Sequence, residues 1–362
     1  MKTTQHQHGN DSALNRLCLL RLSAIGDVTH VVPIVRTLQR YLPQCSLTWV
    51  IGKTEASLVG DIEGVEFIVV DKGDGLFGAA KGLKKSLAKR HFDVLLNMQA
   101  SWRANILASV VNAPRKIGFD RQRARNGQQL FSNESVRGPQ RVHVLDGFFQ
   151  FVEALGIYER ELRWDIPVSA AVQERVTGWL PAASPFLVIS PCSSQRTRNF
   201  RNWSAQNYAA VAEYAYAEHG LELVLTGGQS ALERDYAEAI RGSLASPVID
   251  LVGKTSLKEL YALLQRATLF IGPDSGPLHM ANAAGAGVIG LYATSNPQRT
   301  GPYLHLDRVA NRYPEAASEE LGCSPEQLRW GVRVRSPDAM QRISVAEVCA
   351  RIDELLGTRD KA

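Results

Sequence analysis

Leu269-Phe270-Ile271-Gly272-Pro273-Asp274-Ser275-Gly276-Pro277-Leu278-His279-Met280-Ala281-Asn282-Ala283-Ala284-Gly285-Ala286-Gly287 reads as a buried strand running into a sharp turn and then a helix packed closely through small residues. The first turn of a helix leaves backbone amides without intrahelical partners and carries the positive end of the helix dipole. Ser275, Gly276 and their neighbours therefore suit a diphosphate. Far upstream, a second strand at 17–22 runs into Ser23-Ala24-Ile25-Gly26-Asp27-Val28-Thr29-His30. One junction is shaped for phosphate and the other carries an acid, which points to a cleft between two domains.

The rest of the chain supports that division. Short β-type runs alternate with helical patterns, as in parallel sheets covered by helices. They fall at 17–22, 46–51, 66–70, 93–98 and 116–119 in the first half, and at 186–190, 221–226, 248–252, 269–271 and 287–293 in the second. Each set makes one doubly wound α/β domain, and 362 residues exceed what one core usually organises. The expected boundaries are a disordered tail at 1–15, a first domain at 16–165, a linker and the start of the second domain at 166–183, and a second domain at 184–343. A last helix in 344–362 is expected to pack back toward the first domain.

Charge is unevenly placed. Residues 1–165 carry 22 Lys and Arg against 16 Asp and Glu, whereas the remainder carries 19 against 20. Lys81, Lys84, Lys85, Lys89 and Arg90 fit a solvated helical face, while Arg115, Lys116, Arg121, Arg123 and Arg125 cluster around a turn and a short strand. Guanidinium forks match carboxylate and phosphate, so the first domain is expected to meet an anionic partner. Nucleic acid is not expected, because no aromatic interleaving accompanies the basic residues. The five cysteines lack metal-ligand spacing, no apolar run reaches the roughly 20 residues of a spanning helix, and Met1 to Asp11 is polar. These features fit a reducing cytoplasm. No metal site and no cofactor are expected, since neither an Asp-x-Asp pair nor a His-Glu-x-x-His or Cys-x-x-Cys motif is present.

Several residues carry two readings. Asp27 is either a cap on the helix that follows it or a base facing the cleft, and the two are compatible. The loop after 186–190 offers hydroxyls at Ser193 and Ser194 with cations at Arg196, Arg198 and Arg201, a set suited to phosphate oxygens. Cys192 reads as a packing residue. Gly227-Gly228 allows a ligand close to the backbone or makes a simple turn. His279 is a packed helix histidine or a ligand contact one turn after Asp274. Gly73-Asp74-Gly75-Leu76-Phe77-Gly78 matches the dinucleotide fingerprint formally, but follows the third strand, and Asp93 opens a strand where the ribose-binding acid should close one.

Taken together, Leu19 to Val28, the Ser193 to Trp203 loop and Gly272 to His279 resemble glycosyltransferase family 9, the ADP-heptose:lipopolysaccharide heptosyltransferases. The resemblance implies a GT-B fold, with two Rossmann-like doubly wound domains, the acceptor on the first, the nucleotide-sugar on the second and transfer in the cleft without a required metal. It implies Asp27 as the base that removes the acceptor hydroxyl proton, with inversion at the anomeric carbon. It places Ser193, Ser194, Arg201, Gly227, Asp274, Ser275, Gly276, Leu278 and His279 on the nucleotide-sugar, with Arg201 as a fork in place of a lysine, and Glu233 on the ribose. Ser23, Gly26, Arg103, Arg125 and His143 fall near the acceptor. The implied partners are ADP-heptose and an anionic acceptor of the Kdo-lipid A type at the inner face of the inner membrane, with weak peripheral contact through Lys81 to Arg90. Rival readings are a same-fold transferase using another nucleotide-sugar or adding a later heptose, a nicotinamide oxidoreductase resting on Gly73 to Gly78, and a non-catalytic sugar-nucleotide or glycolipid binder.

Overall fold

The computed structural model describes residues 14–180, 184–193 and 199–357. The tail expected at 1–15, apart from its last two residues, and residues 181–183 of the linker lie outside the described residues.

The first domain is a parallel sheet of β1 (Arg16–Leu20), β2 (Ser46–Gly52), β3 (Val65–Val70), β4 (Val94–Asn97), β5 (Arg115–Gly118) and β6 (Glu134–Ser135), in the order β3-β2-β1-β4-β5-β6. The second repeats the pattern with β7 (Phe186–Ile189), β8 (Glu222–Leu225), β9 (Val248–Asp250), β10 (Leu269–Pro273), β11 (Gly287–Tyr292) and β12 (Ala310–Asn311), in the order β12-β11-β10-β7-β8-β9. All ten expected runs form strands. The central strands β1, β4, β7 and β10 are buried nearly end to end, which explains why they read as unbroken apolar runs rather than alternating ones.

Each sheet has one point where the strand order reverses, between β1 and β4 in the first and between β7 and β10 in the second. Connections leave such a point in opposite directions, opening a crevice beyond the strand ends where ligands of open α/β sheets bind. Asp27 follows β1, Ala100 follows β4, Ser190 to Cys192 follow β7, and Asp274 follows β10. The two crevices face each other. The helix Ile25–Tyr41 packs against Gly276–Ala284 across the gap, and one apolar cluster runs from Leu17, Val31 and Ile34 through Leu263, Leu278 and Met280.

The last helix, Val345–Leu356, does not pack back toward the first domain as expected. Its apolar face, Val348, Cys349 and Ile352, joins the second domain's outer core, and Asp353 receives hydrogen bonds from Tyr214 and His219 on the helix Ala205–His219. The reach to the first domain comes instead from the preceding irregular segment, where Trp330 Nε1 donates to Val142 O at 2.9 Å and Arg141 forks onto the carbonyls of Pro325, Glu326 and Leu328. No helix among the described residues is long and apolar enough to cross a membrane.

Candidate active site

The β1 turn delivers Asp27 to the third position of the helix Ile25–Tyr41. Its carboxylate accepts from the Ala24 N–H at 3.3 Å and pairs with Arg21, so it caps the helix from within and still faces the cleft, one-third exposed. Arg21 is itself fixed, donating to Met98 O at 2.6 Å and lying over the Phe148 ring.

Two adjoining cavities fill the cleft. The one on the second-domain side, about 520 Å³, is lined by Gly26, Arg201, Gly227, Gly228, Glu233, Asp274, Ser275, Gly276 and His279, all singled out in the sequence. Ser275 caps the helix Gly276–Ala284 without using its side chain, and its Oγ is buried with no hydrogen-bond partner among the described residues. Pro277 has no N–H, so the amides of the first turn available to an anion are those around Ser275, Gly276 and Leu278. Arg201 is buried, donates to Asp274 O at 2.6 Å and lies 3.4 Å from Asp274 Oδ2, while His279 Nε2 stands 3.7 Å from Asp274 Oδ1. Burial by itself would raise the Asp274 carboxyl, but His279, Arg201 and Arg333 hold it well below the usual carboxylate range. Asp274 thus orients a cation and an imidazole and is unsuited to accept a proton.

Other residues take different roles from those expected. The Leu278 side chain is fully buried beside Gly290, so only its backbone can face the cavity. The Glu233 carboxylate accepts from Gly228 N at 2.7 Å and from Ser230 Oγ at 2.5 Å, a capping box that leaves its edge on the cavity wall. Ser193 is held by Asn202 and Asn199 and lies outside both linings, and Ser194, with Arg196 and Arg198, lies outside the described residues. Burial pushes the Cys192 thiol up to about 12, in keeping with a packing role. Residues 73–78 line neither cavity, and Asp93 ties the Asn15 and Arg16 amides at the opposite end of the sheet, so the dinucleotide fingerprint has no geometric counterpart.

The cavity on the first-domain side, about 530 Å³, is strongly basic: Arg21, Arg123, Arg125, Arg141, Arg299 and Arg329 line it against the single carboxylate of Asp27. Arg123 pairs with Asp120, but Arg125, Arg299 and Arg329 have no carboxylate within ion-pair distance among the described residues. Of the expected acceptor residues, Arg125 and His143 line this cavity and Gly26 lines the other. Ser23 hydrogen-bonds Gln99, and Arg103, at the start of the helix Trp102–Val110, lies outside both linings.

The domains meet through three imidazoles. His30 and His279 have ring centroids 4.8 Å apart and His30 and His143 5.3 Å, while His143 takes the Leu145 N–H on Nδ1 and donates from Nε2 to Gly301 O at 3.0 Å. Burial holds His143 at about 4, against the Gly301 hydrogen bond that favours its charged form, and drives His30 well below the usual imidazole value. Gly26 is required here, since a Cβ would lie 2.4 Å from His279 Cδ2. Sequence reading missed Arg299, Arg333, Thr255 and Ser256, all on the cleft. Ser256 was detectable as the start of a capping box with Glu259; the arginines carry no local signature.

The sequence model of glycosyltransferase family 9 (heptosyltransferase) matches residues 81–328. The chain is 38% identical over 339 residues to the lipopolysaccharide core heptosyltransferase OpsX of Haemophilus influenzae, covering 94% of this chain and 96% of that one. It belongs to glycosyltransferase family 9. A family 9 glycosyltransferase from Veillonella parvula superposes with a TM-score of 0.78 at 22% identity, covering 95% of this chain and 98% of that one. Escherichia coli heptosyltransferase WaaC with ADP superposes with a TM-score of 0.71 at 19% identity, covering 94% and 99%. The two-domain α/β architecture is therefore the GT-B fold of family 9, and the protein is a glycosyltransferase of the heptosyltransferase type.

Proposed function

We propose that this enzyme moves a heptose from ADP-heptose to an acidic, Kdo-type sugar of the lipopolysaccharide inner core, with inversion at the anomeric carbon. The observation that carries the reading is the position of Asp27: it lines both cavities, on the floor between a phosphate-suited helix start and a basic chamber. The ADP moiety occupies the second-domain cavity with its diphosphate on the amides at Ser275 and Gly276 and on Arg201. The acceptor occupies the basic cavity, its carboxylate or phosphate on Arg125 and Arg329. Asp27 accepts the proton of the acceptor hydroxyl as that oxygen bonds to the anomeric carbon and the bond to the ADP oxygen breaks. Negative charge then grows on the departing diphosphate, where helix amides and the buried Arg201 guanidinium meet it without reorganisation.

The named relatives support this choice of substrates. OpsX is a lipopolysaccharide core heptosyltransferase, and WaaC has been solved with ADP-2-deoxy-2-fluoro heptose. A lipid-borne acceptor also gives a purpose to one face of the helix Gly75–Ser86. Phe77, 87% exposed, lies in line with Lys81, Lys84 and Lys85 at helical spacing, an aromatic and cationic stripe suited to weak contact with an anionic membrane surface from the cytoplasmic side.

Isothermal titration with ADP, UDP and GDP, together with turnover of ADP-heptose on Kdo-lipid A, tests the proposal. ADP should bind at least 10-fold more tightly than the other two, and ADP should be released only when the acceptor is present. Preference for UDP or GDP, or no transfer to a Kdo-bearing acceptor, would overturn it. Sedimentation with phosphatidylglycerol vesicles should retain the enzyme at low salt and release a Lys81→Ala/Lys84→Ala/Lys85→Ala variant; equal retention of both would remove the membrane contact.

A further inference from the structure

Among the described residues three line both cavities: Asp27, Val144 and Arg299. A sugar passing from a donor in one cavity to an acceptor in the other crosses where the linings meet, so a side chain present in both linings stands beside the transfer point. Asp27 supplies a base there and Val144 an apolar wall. Arg299, from the second domain, is a cation with no carboxylate within ion-pair distance.

Its placement is built rather than incidental. Arg299 sits on the short helix Pro297–Thr300 after β11, and the next residue, Gly301, accepts from His143 of the first domain at 3.0 Å, fixing this turn to the far side of the cleft. The backbone of Gly331 lies over the guanidinium. Gly331 has φ +85°, and a Cβ there would come within 2.9 Å of Arg299 Nε, so only glycine allows that cover. Burial pulls the Arg299 guanidinium below its ordinary value, and the charges it feels come from both sides: Asp27 and Arg125 of the first domain, Asp274 and Arg333 of the second.

Both proposed substrates are anionic, so filling one cavity should repel the occupant of the other. A single guanidinium with five N–H donors in a planar fork can bond two anions at once and reverse that sign. We propose that Arg299 bridges the substrates, bonding the donor diphosphate on one side and the acceptor anion on the other, and so makes them bind cooperatively. This rests on the donor and acceptor assignment above. It accounts for a half-buried cation at the junction of the two cavities.

The test is the affinity for ADP measured by calorimetry without and with saturating de-acylated Kdo-lipid A. In the wild-type enzyme the acceptor should tighten ADP binding by about 5-fold or more. In Arg299→Ala the factor should fall to within about 2-fold of unity. Arg299→Lys, which keeps the charge but not the fork, should also lose the coupling while each substrate alone binds within about 5-fold of wild type. Arg201→Ala and Arg125→Ala should weaken ADP and acceptor respectively and retain the coupling, a pattern that a loss of folding would not produce. Coupling that persists in Arg299→Ala, or none in the wild type, would overturn the bridge. Coupling without heptose transfer in the wild type would instead overturn the donor and acceptor reading and leave the bridge standing.

Discussion

Substituting Gly26 by alanine tests whether the observed spacing of the two domains is the reacting one. The added methyl would lie 2.4 Å from His279 Cδ2, 3.2 Å from Cγ and 3.3 Å from Nε2, against the 3.4–4 Å of ordinary contact. At least about 1 Å must open between the helices Ile25–Tyr41 and Gly276–Ala284. The His279 ring cannot easily turn aside, because His30 packs against it at 4.8 Å and Asp274 holds its Nε2 at 3.7 Å. The methyl therefore acts as a wedge beside Asp27, between the helix that carries the proposed base and the helix whose start lines the donor cavity. A misplacement of about 1 Å in a transfer geometry costs on the order of 10²-fold in rate, whereas overpacking costs about 1 to 3 kcal/mol in stability. Gly26→Ala should thus lower kcat about 100-fold, with ADP affinity within about 3-fold of wild type, because the second-domain phosphate contacts are untouched. Steady-state turnover with calorimetric ADP titration checks this. Turnover within about 3-fold of wild type would show that the close approach of Gly26 to His279 is not part of the reacting state.

Arg201→Ala should weaken ADP binding by about 10-fold or more and lower the melting temperature, since Asp274 stays buried without that partner; unchanged affinity by titration would remove Arg201 from the diphosphate. Arg125→Ala should raise the acceptor KM while leaving the donor KM within about 2-fold; equal effects on both would reduce Arg125 to a surface charge. The histidine cluster gives a pH dependence. An unfolded histidine takes up its proton near 6.5, but His143 in the folded enzyme does so only near 4, and burial likewise holds His30 well below the usual imidazole value. The unfolded state therefore binds more protons between those values, so stability is fully present above about 6.5 and is lost as pH falls toward 4, on the order of 3 kcal/mol for His143. Melting curves from pH 7.5 to 4.5 should show this slope, and His143→Asn should flatten it; a slope unchanged in that variant would place its origin elsewhere.

How much of this was legible in sequence depends on whether the signal is local. The central strands β1, β4, β7 and β10 declared themselves as apolar runs because they are buried on both faces, while the partly exposed β3 and β9 were readable from their β-branched residues. β6 and β12 are two-residue edge pairings, Glu134–Ser135 and Ala310–Asn311, too short to show an apolar run. Asp27 and the turn from Asp274 to His279 were readable because strand, turn and helix start are contiguous. Arg299, Arg333 and Arg329 were not: Arg299 reaches the cleft from the four-residue helix Pro297–Thr300 and the other two from irregular chain, so none belongs to a contiguous strand-turn-helix motif. The last helix was misplaced for a related reason: its amphipathic face demanded a partner, but the choice between Ala205–His219 and the first domain is made by tertiary packing. Leu278 lay within a ligand-binding turn yet points into the core, because in a helix only some positions of a motif share the exposed side.

The most direct measurement of the central claim is the turnover of Asp27→Asn beside its ADP affinity. The substitution keeps the size and the hydrogen bond to the Ala24 amide but removes the basic oxygen at the junction of the two cavities. Asp27 belongs to the first domain and holds no phosphate. The expected result is a loss of heptose transfer of about 10²-fold or more, with ADP bound within about 3-fold of wild type. Transfer within a few-fold of wild type would reduce Asp27 to a helix cap and contradict the account.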